Sequence, residues 1–198
     1  MIKRTLSQKL SSFAGQFPVV TITGPRQSGK TTLTKMVFAN HEYVSLEEPH
    51  EREFALSDPR GFLQRYKRGV ILDEIQRAPG LLSYLQGIVD AGVDSGKFIL
   101  TGSQQFHLSA KINRTLAGRT AIVHLLPFSL DELRELPSRD PWAWSDLPKP
   151  GEAPAFNLET MLYRGFYPRI HDQGLAPQDW LAGYYQTYVE RDVREVSN

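Results

Sequence analysis

A three-layer α/β fold, helices on both sides of a central, mainly parallel sheet of five strands, is predicted by three features of this 198-residue sequence. Short apolar runs at Phe17 to Thr23, Glu42 to Leu46, Gly69 to Leu72, Lys97 to Gly102 and Ala121 to Leu126 read as strands. The Gly69 run lacks polar alternation, as a strand buried on both faces of a parallel sheet does. Segments with helical spacing separate the runs, which is the order that builds parallel sheets through crossover helices. Finally, Gly24-Pro25-Arg26-Gln27-Ser28-Gly29-Lys30-Thr31 fits G-x-x-x-x-G-K-[ST] directly after the first run.

The elements follow in chain order. Leu6, Leu10 and Phe13 share one face of an opening helix that ends near Gly15. After the glycine-bounded loop, Thr31 to Phe38 carries Leu33, Met36 and Val37 at helical spacing. Glu42 to Leu46 is a short strand, and a helix over roughly His50 to Leu56 is broken by Asp58-Pro59 before a second short helix from Gly61. Gly69 to Leu72 runs into Asp73-Glu74, Leu81 to Val89 is helical, and Lys97 to Gly102 ends in polar residues. Past the fifth strand, Ser129 and Glu132 form a Ser-x-x-Glu capping box. Pro137 to Pro154 holds five prolines and two tryptophans and reads as an irregular excursion. The tail from Leu158 has helical spacing around a turn at Gly165 to Pro168.

Composition narrows the chemistry. With 40% hydrophobic and 23% charged residues the chain is globular in type, and the absence of cysteine excludes disulfides, zinc-thiolate sites, iron–sulfur clusters and cysteine nucleophiles. A net charge of +1 exerts no overall pull on nucleic acid or membrane, so direct nucleic-acid binding is not expected. No apolar run approaches ~18 residues and no signal-peptide core follows Met1, so a cytoplasmic protein without a membrane span is expected. The five histidines show no i, i+4 pair, and no G-x-S-x-G pattern occurs.

The loop is built for phosphate. Backbone N–H groups converging at a helix N-terminus answer clustered anionic oxygens, and Gly24 and Gly29 allow a close approach. Lys30 is placed to reach the β- and γ-phosphates and Thr31 to ligate magnesium. Gly24, Pro25, Arg26, Gln27, Ser28, Gly29, Lys30, Thr31 and Thr32 are therefore the candidate nucleotide-binding residues. Asp73, ending a strand, joins Thr31 as a candidate magnesium ligand, and Glu74 is the candidate for orienting water. Thr101-Gly102-Ser103-Gln104-Gln105 follows another strand, where ligands of open α/β sheets bind, and offers Ser103 or Gln104 as a sensor of the γ-phosphate. Arg114 and Arg119 are the candidate extra cations, acting in cis or toward a neighbouring subunit. Arg119 is preferred because Gly118 and the following strand put it near a sheet edge.

Gly24 to Thr32, Leu72-Asp73-Glu74-Ile75-Gln76, Leu100-Thr101-Gly102-Ser103 and Leu116-Ala117-Gly118-Arg119, in this order, resemble prokaryotic AAA-type P-loop ATPases with a C-terminal domain of unknown function. Tyr163 to Pro168 and Tyr188 to Val193 are similar to that family's linker. The resemblance implies an AAA-type core with the P-loop strand central and the acidic strand one strand removed. It also implies ATP or ADP with Mg2+ as cofactors, Ser103 as the sensor and Arg119 as a trans-acting or switch arginine. Family proteins are about twice as long, so this chain resembles an N-terminal piece: an ATPase core over 1–135, an irregular segment over 136–157 and a helical linker over 158–198. The implied partners are nucleotide, a protein partner reached through the C-terminal part and further copies of the chain.

The leading expectation is a Mg-dependent ATPase whose catalytic residues are Lys30, Glu74, Ser103 and Arg119. The competing readings are a nucleotide-gated protein- or nucleic-acid-binding module with little turnover, and a small-molecule P-loop kinase. Asp73-Glu74 suits water activation better than kinase chemistry, and no arginine-rich lid segment follows.

Overall fold

The computed structural model describes residues 2–103, 112, 114–136 and 157–189. Its first elements are α1 (Leu6–Ala14), β1 (Val19–Gly24), α2 (Lys30–Val37), β2 (Glu42–Ser45), α3 (Pro49–Ser57) and α4 (Pro59–Gln64). They are followed by β3 (Val70–Asp73), α5 (Leu81–Asp90), β4 (Phe98–Ser103) and β5 (Thr120–His124). All five strands are parallel, in the order β2-β3-β4-β1-β5. The P-loop strand is thus interior, and β4 separates it from the strand that ends in Asp73.

The layers follow from where successive side chains point. Val19, Val70, Leu72, Phe98 and Leu100 join one apolar cluster with Phe62 and Leu63 of α4 and Leu81, Leu82 and Leu85 of α5. Val20, Ile22, Ile71 and Ile99 face the other way, against Leu10 of α1 and Leu33 of α2. Alternate residues of β1, β3 and β4 therefore feed two cores, which is why 70–72 and 98–100 read as continuous apolar runs. Full burial of each aliphatic side chain is worth ~1.5–3 kcal/mol, so the two cores hold the sheet rigid beneath its loops. The outer strands are short, and Glu42 and Tyr43 of β2 are exposed.

Local chemistry sets the boundaries. Pro49 and Pro59 occupy first turns of α3 and α4, where no N–H is needed, and the Asp58 side chain caps α4 by accepting from Gly61 N at 2.9 Å. The Asp58-Pro59 break expected from the sequence is this junction.

The chain divides into two compact units, Leu6–Leu126 and a second one made of Met1–Thr5 with Pro127–Asn198. In the second unit the capping box is present: Ser129 Oγ accepts from Glu132 N at 3.1 Å, and Ser129 N donates to Glu132 Oε2 at 2.9 Å. Glu132 also forms an ion pair with Arg4, Nε to Oε1 at 3.2 Å, and accepts from Thr5 N at 2.8 Å, and the Arg4 guanidinium lies over the Phe128 ring. Helices Leu158–Arg164, Pro168–Gln173 and Pro177–Tyr184 follow, with Tyr167, Trp180 and Tyr184 in mutual ring contact. The expected excursion from Pro137 to Pro154, Gln104, and the end of the similarity at Glu190 to Val193 lie outside the described residues. Among the described residues no helix is long and apolar enough to cross a membrane.

Candidate functional site

Because the strands are parallel, β1, β3 and β4 all end on one edge of the sheet, and the polar residues at their carboxyl ends meet there. The loop leaves β1 through Gly24 (φ 152°) and turns through Gln27 (φ 60°) and Gly29 (φ 94°) into α2. A Cβ on Gly24 would lie 2.1 Å from the Leu125 carbonyl oxygen, so only glycine fits this exit. Ser28 is buried within the loop, Pro25 and Arg26 are half-buried, and Thr32 lies on the exposed side of the first turn of α2.

Lys30 is 5% exposed, and its Nζ donates to the carbonyls of Gly24 at 3.0 Å and Pro25 at 2.9 Å. Burial pushes its ammonium below the ordinary lysine range, while Glu74 and Asp73 oppose that shift. A buried cation held by neutral carbonyls is suited to exchange them for anionic phosphate oxygens.

Asp73 is buried and receives three hydroxyls. Its Oδ2 accepts from Thr31 Oγ1 at 2.7 Å and from Tyr43 Oη at 2.8 Å, and its Oδ1 accepts from Thr101 Oγ1. Burial, then the bond to Asp73, raises the Tyr43 phenol well above the ordinary tyrosine range, so it acts as a donor. The Lys35 ammonium stands over its ring, 3.4 Å from the centroid. Thr31 and Asp73 are hard oxygen donors in contact with each other, and Mg2+ favours one or two such protein ligands completed by phosphate and water. The donor set fits magnesium delivered with a nucleotide.

Glu74 leaves β3 in the left-handed region (φ 59°, ψ 48°), a conformation that costs a residue with a Cβ on the order of 1–2 kcal/mol. Its N–H donates to Thr101 Oγ1 at 3.4 Å, and its Oε2 accepts from Gln76 Nε2. Gln76 Nε2 also donates to Ser103 Oγ at 3.0 Å. Lys30, Thr31, Asp73, Glu74 and Ser103 are thereby gathered at one edge, together with Tyr43, Thr101 and Gln76, to which sequence reasoning had assigned no role. The parallel register, which pairs Leu72 with Leu100, sets Thr101 beside Asp73.

Arg119 lies near a sheet edge, but at the one opposite the P-loop. Thr120, the first residue of β5, pairs with Val19, the first residue of β1, so Arg119 stands at the amino edge, a strand length from the P-loop of its own chain. Its Nε donates to Asp90 Oδ1 at 2.5 Å and its Nη2 to Asp90 Oδ2 at 3.0 Å. Arg114 is exposed.

A family model described as an AAA domain matches residues 16–134. An uncharacterized protein of Mycobacterium tuberculosis and one of Mycobacterium bovis are each 28% identical over 195 residues, covering 98% of this chain and 40% of their own. The chain thus spans about two fifths of the length of these relatives. A Walker-type ATPase of Pyrococcus abyssi superposes with a TM-score of 0.56 at 16% identity, covering all of this chain and 76% of the other. That likeness is one of fold.

Proposed function

The chain belongs to the AAA-domain family of P-loop nucleoside triphosphatases, and from this premise we propose that it binds ATP with magnesium and hydrolyses the β–γ phosphoanhydride. The observation that supports this best is the meeting of Lys30 and Thr31 with Asp73, Glu74 and Ser103 at the carboxyl ends of adjacent parallel strands.

In this reading the loop from Gly24 to Thr32 holds the phosphates through its N–H groups, and Lys30 moves from the Gly24 and Pro25 carbonyls onto the β- and γ-oxygens. Thr31 and Asp73 would hold the magnesium ion, which would supply charge neutralisation at the phosphates. Glu74 orients the attacking water and accepts its proton, and Ser103 donates to a γ-phosphate oxygen. Arg119, remote from its own P-loop, serves the site of a neighbouring copy. The residues 1–135 form the ATPase core, 136–157 intervene, and 158–198 lead toward the part that engages a protein partner. Changes of nucleotide state are passed along this path in the cytoplasm.

One observation favours a second reading, a nucleotide-gated binding module with little turnover: Arg119 is paired with Asp90 at the far edge, leaving a lone chain short of one cation. The two readings separate in a single experiment. Calorimetric titration with Mg-ATP and Mg-GTP, on wild type and Lys30→Ala, is combined with phosphate release by wild type and Glu74→Gln. Saturable ATP binding lost in Lys30→Ala, with turnover lost in Glu74→Gln, supports the ATPase. Binding with equal, negligible turnover in both supports the gated module. Equal binding by Lys30→Ala overturns the site.

A further inference from the structure

We propose that Gln76 is a positioning residue that links the γ-phosphate contact at Ser103 to the Glu74 carboxylate, so that a triphosphate and a diphosphate set that carboxylate differently. The inference rests on the ATP-site reading above and adds to it a residue and a mode of regulation.

The left-handed backbone at Glu74 starts a short 3₁₀ turn, Ile75–Arg77, anchored by the fully buried Ile75. That turn brings the side chain two positions on back to the edge that Glu74 occupies. Gln76 Nε2 there reaches Glu74 Oε2 and, across to β4, Ser103 Oγ at 3.0 Å. A carboxylate accepts hydrogen bonds only, so the atom facing it must be the amide nitrogen, which fixes the orientation of the amide. Both amide hydrogens are then used, one on each partner. Ser103 Oγ, accepting from Gln76, keeps its own hydrogen to give to a phosphate oxygen.

The result is a directional chain from phosphate to Ser103 to Gln76 to Glu74. Hydrogen bonds in such a chain polarise one another, and moving one member moves the next. Gln76 Oε1 is buried with no hydrogen-bond partner among the described residues, and none of those residues anchors the amide on that side. A γ-phosphate that draws Ser103 toward itself therefore turns Gln76 and re-aims Glu74. A diphosphate leaves Ser103 where it is, with Glu74 tied to Gln76.

The test reads the amide directly. The Gln76 side-chain NH2 resonances of 15N-labelled full chain, identified by their absence in Gln76→Ala, are followed through titrations with Mg-ATPγS and Mg-ADP. They are expected to move with the triphosphate and not with the diphosphate, and Ser103→Ala is expected to erase the difference. In turnover, Gln76→Ala is expected to lower kcat about tenfold or more with KM changed less than about twofold. The double variant with Ser103→Ala is expected to cost little more than either single change. Amide signals indifferent to the γ-phosphate, or single effects that multiply, overturn the link while leaving the ATPase reading intact. Where nucleotide binds without measurable turnover, the amide readout decides alone. Failure of the wild type to bind nucleotide by calorimetry overturns both readings and is recognised as such.

Discussion

Thr31 Oγ1 donates a 2.7 Å hydrogen bond to Asp73 Oδ2, closing a gap of 42 residues between the first turn of α2 and the end of β3. The bond sets the two hard donors of the proposed magnesium site against each other before any ion arrives. Asp73→Asn keeps the shape and one of the two accepting oxygens, but removes the charge and turns the other acceptor into a donor. The magnesium concentration for half-maximal turnover should rise about tenfold or more, since even outer-sphere changes at metal sites reach that scale. Magnesium-free nucleotide binding, measured by calorimetry, should change little. An unaltered magnesium dependence in Asp73→Asn would remove Asp73 from the metal site.

Tyr66 gives a pH dependence that can be worked out from its surroundings. It is 3% exposed, packs edge-on against Phe62, and its hydroxyl has no hydrogen-bond partner among the described residues. Burial raises its phenol above the ordinary tyrosine range, with Arg65 opposing and Glu51 and Glu42 assisting. Above about pH 10 the unfolded chain releases this proton while the folded chain keeps it. The unfolded state then binds fewer protons, so stability falls as pH rises toward the folded value. Tyr66→Phe removes that contribution and a buried polar group without a hydrogen-bond partner among the described residues. Urea unfolding at neutral pH should find the variant equal to wild type or more stable by up to about 1 kcal/mol. Above about pH 10 its stability should decline less steeply than that of wild type. A variant clearly less stable at neutral pH would mean that the hydroxyl has a partner.

The legibility of this fold in its sequence has a physical reason. β3 and β4 feed cores on both faces, so their apolar stretches 70–72 and 98–100 carry no polar interruption, and the loop motif lies between a strand and a helix readable from their own apolar residues. The capping box at Ser129 was readable because both its hydrogen bonds are local. Tyr43, Thr101 and Gln76 were assigned no role because their contacts depend on strand register and on one left-handed residue, neither of which composition or periodicity encodes. Which sheet edge Arg119 occupies follows from chain direction alone. A residue before a parallel strand must stand at the edge opposite to residues that follow its neighbours, whichever neighbours those are.

The placement of Arg119 makes its proposed service to another copy testable. Its pairing with Asp90 is an exposed surface contact, and such pairs add little to stability. Arg119→Ala should show no measurable change in melting temperature and unchanged ATP affinity, because its own P-loop is a strand length away. Mixing Arg119→Ala with Glu74→Gln chains should restore turnover that neither has alone, since one supplies an intact Glu74 and the other an intact arginine. Mixtures that stay inactive under conditions where the copies associate would exclude the trans role.

Gly24 joins the stability of the sheet to the shape of the loop. A Cβ there would meet the Leu125 carbonyl oxygen at 2.1 Å, and that oxygen belongs to backbone, which has no rotamer through which to yield. Leu125 is itself fixed by the bond from its N–H to Thr23 O at 2.8 Å and by burial in the second core. Gly24→Ala must therefore move β1 away from the segment after β5, or twist the loop exit at φ 152°. The cost should be about 2 kcal/mol or more, a fall in melting temperature of roughly 4–8 °C for a chain of this size. Because the Gly24 carbonyl also holds Lys30 Nζ at 3.0 Å, phosphate binding should weaken in the same variant. A Gly24→Ala protein with wild-type melting and wild-type ATP affinity would show that the loop exit yields without cost.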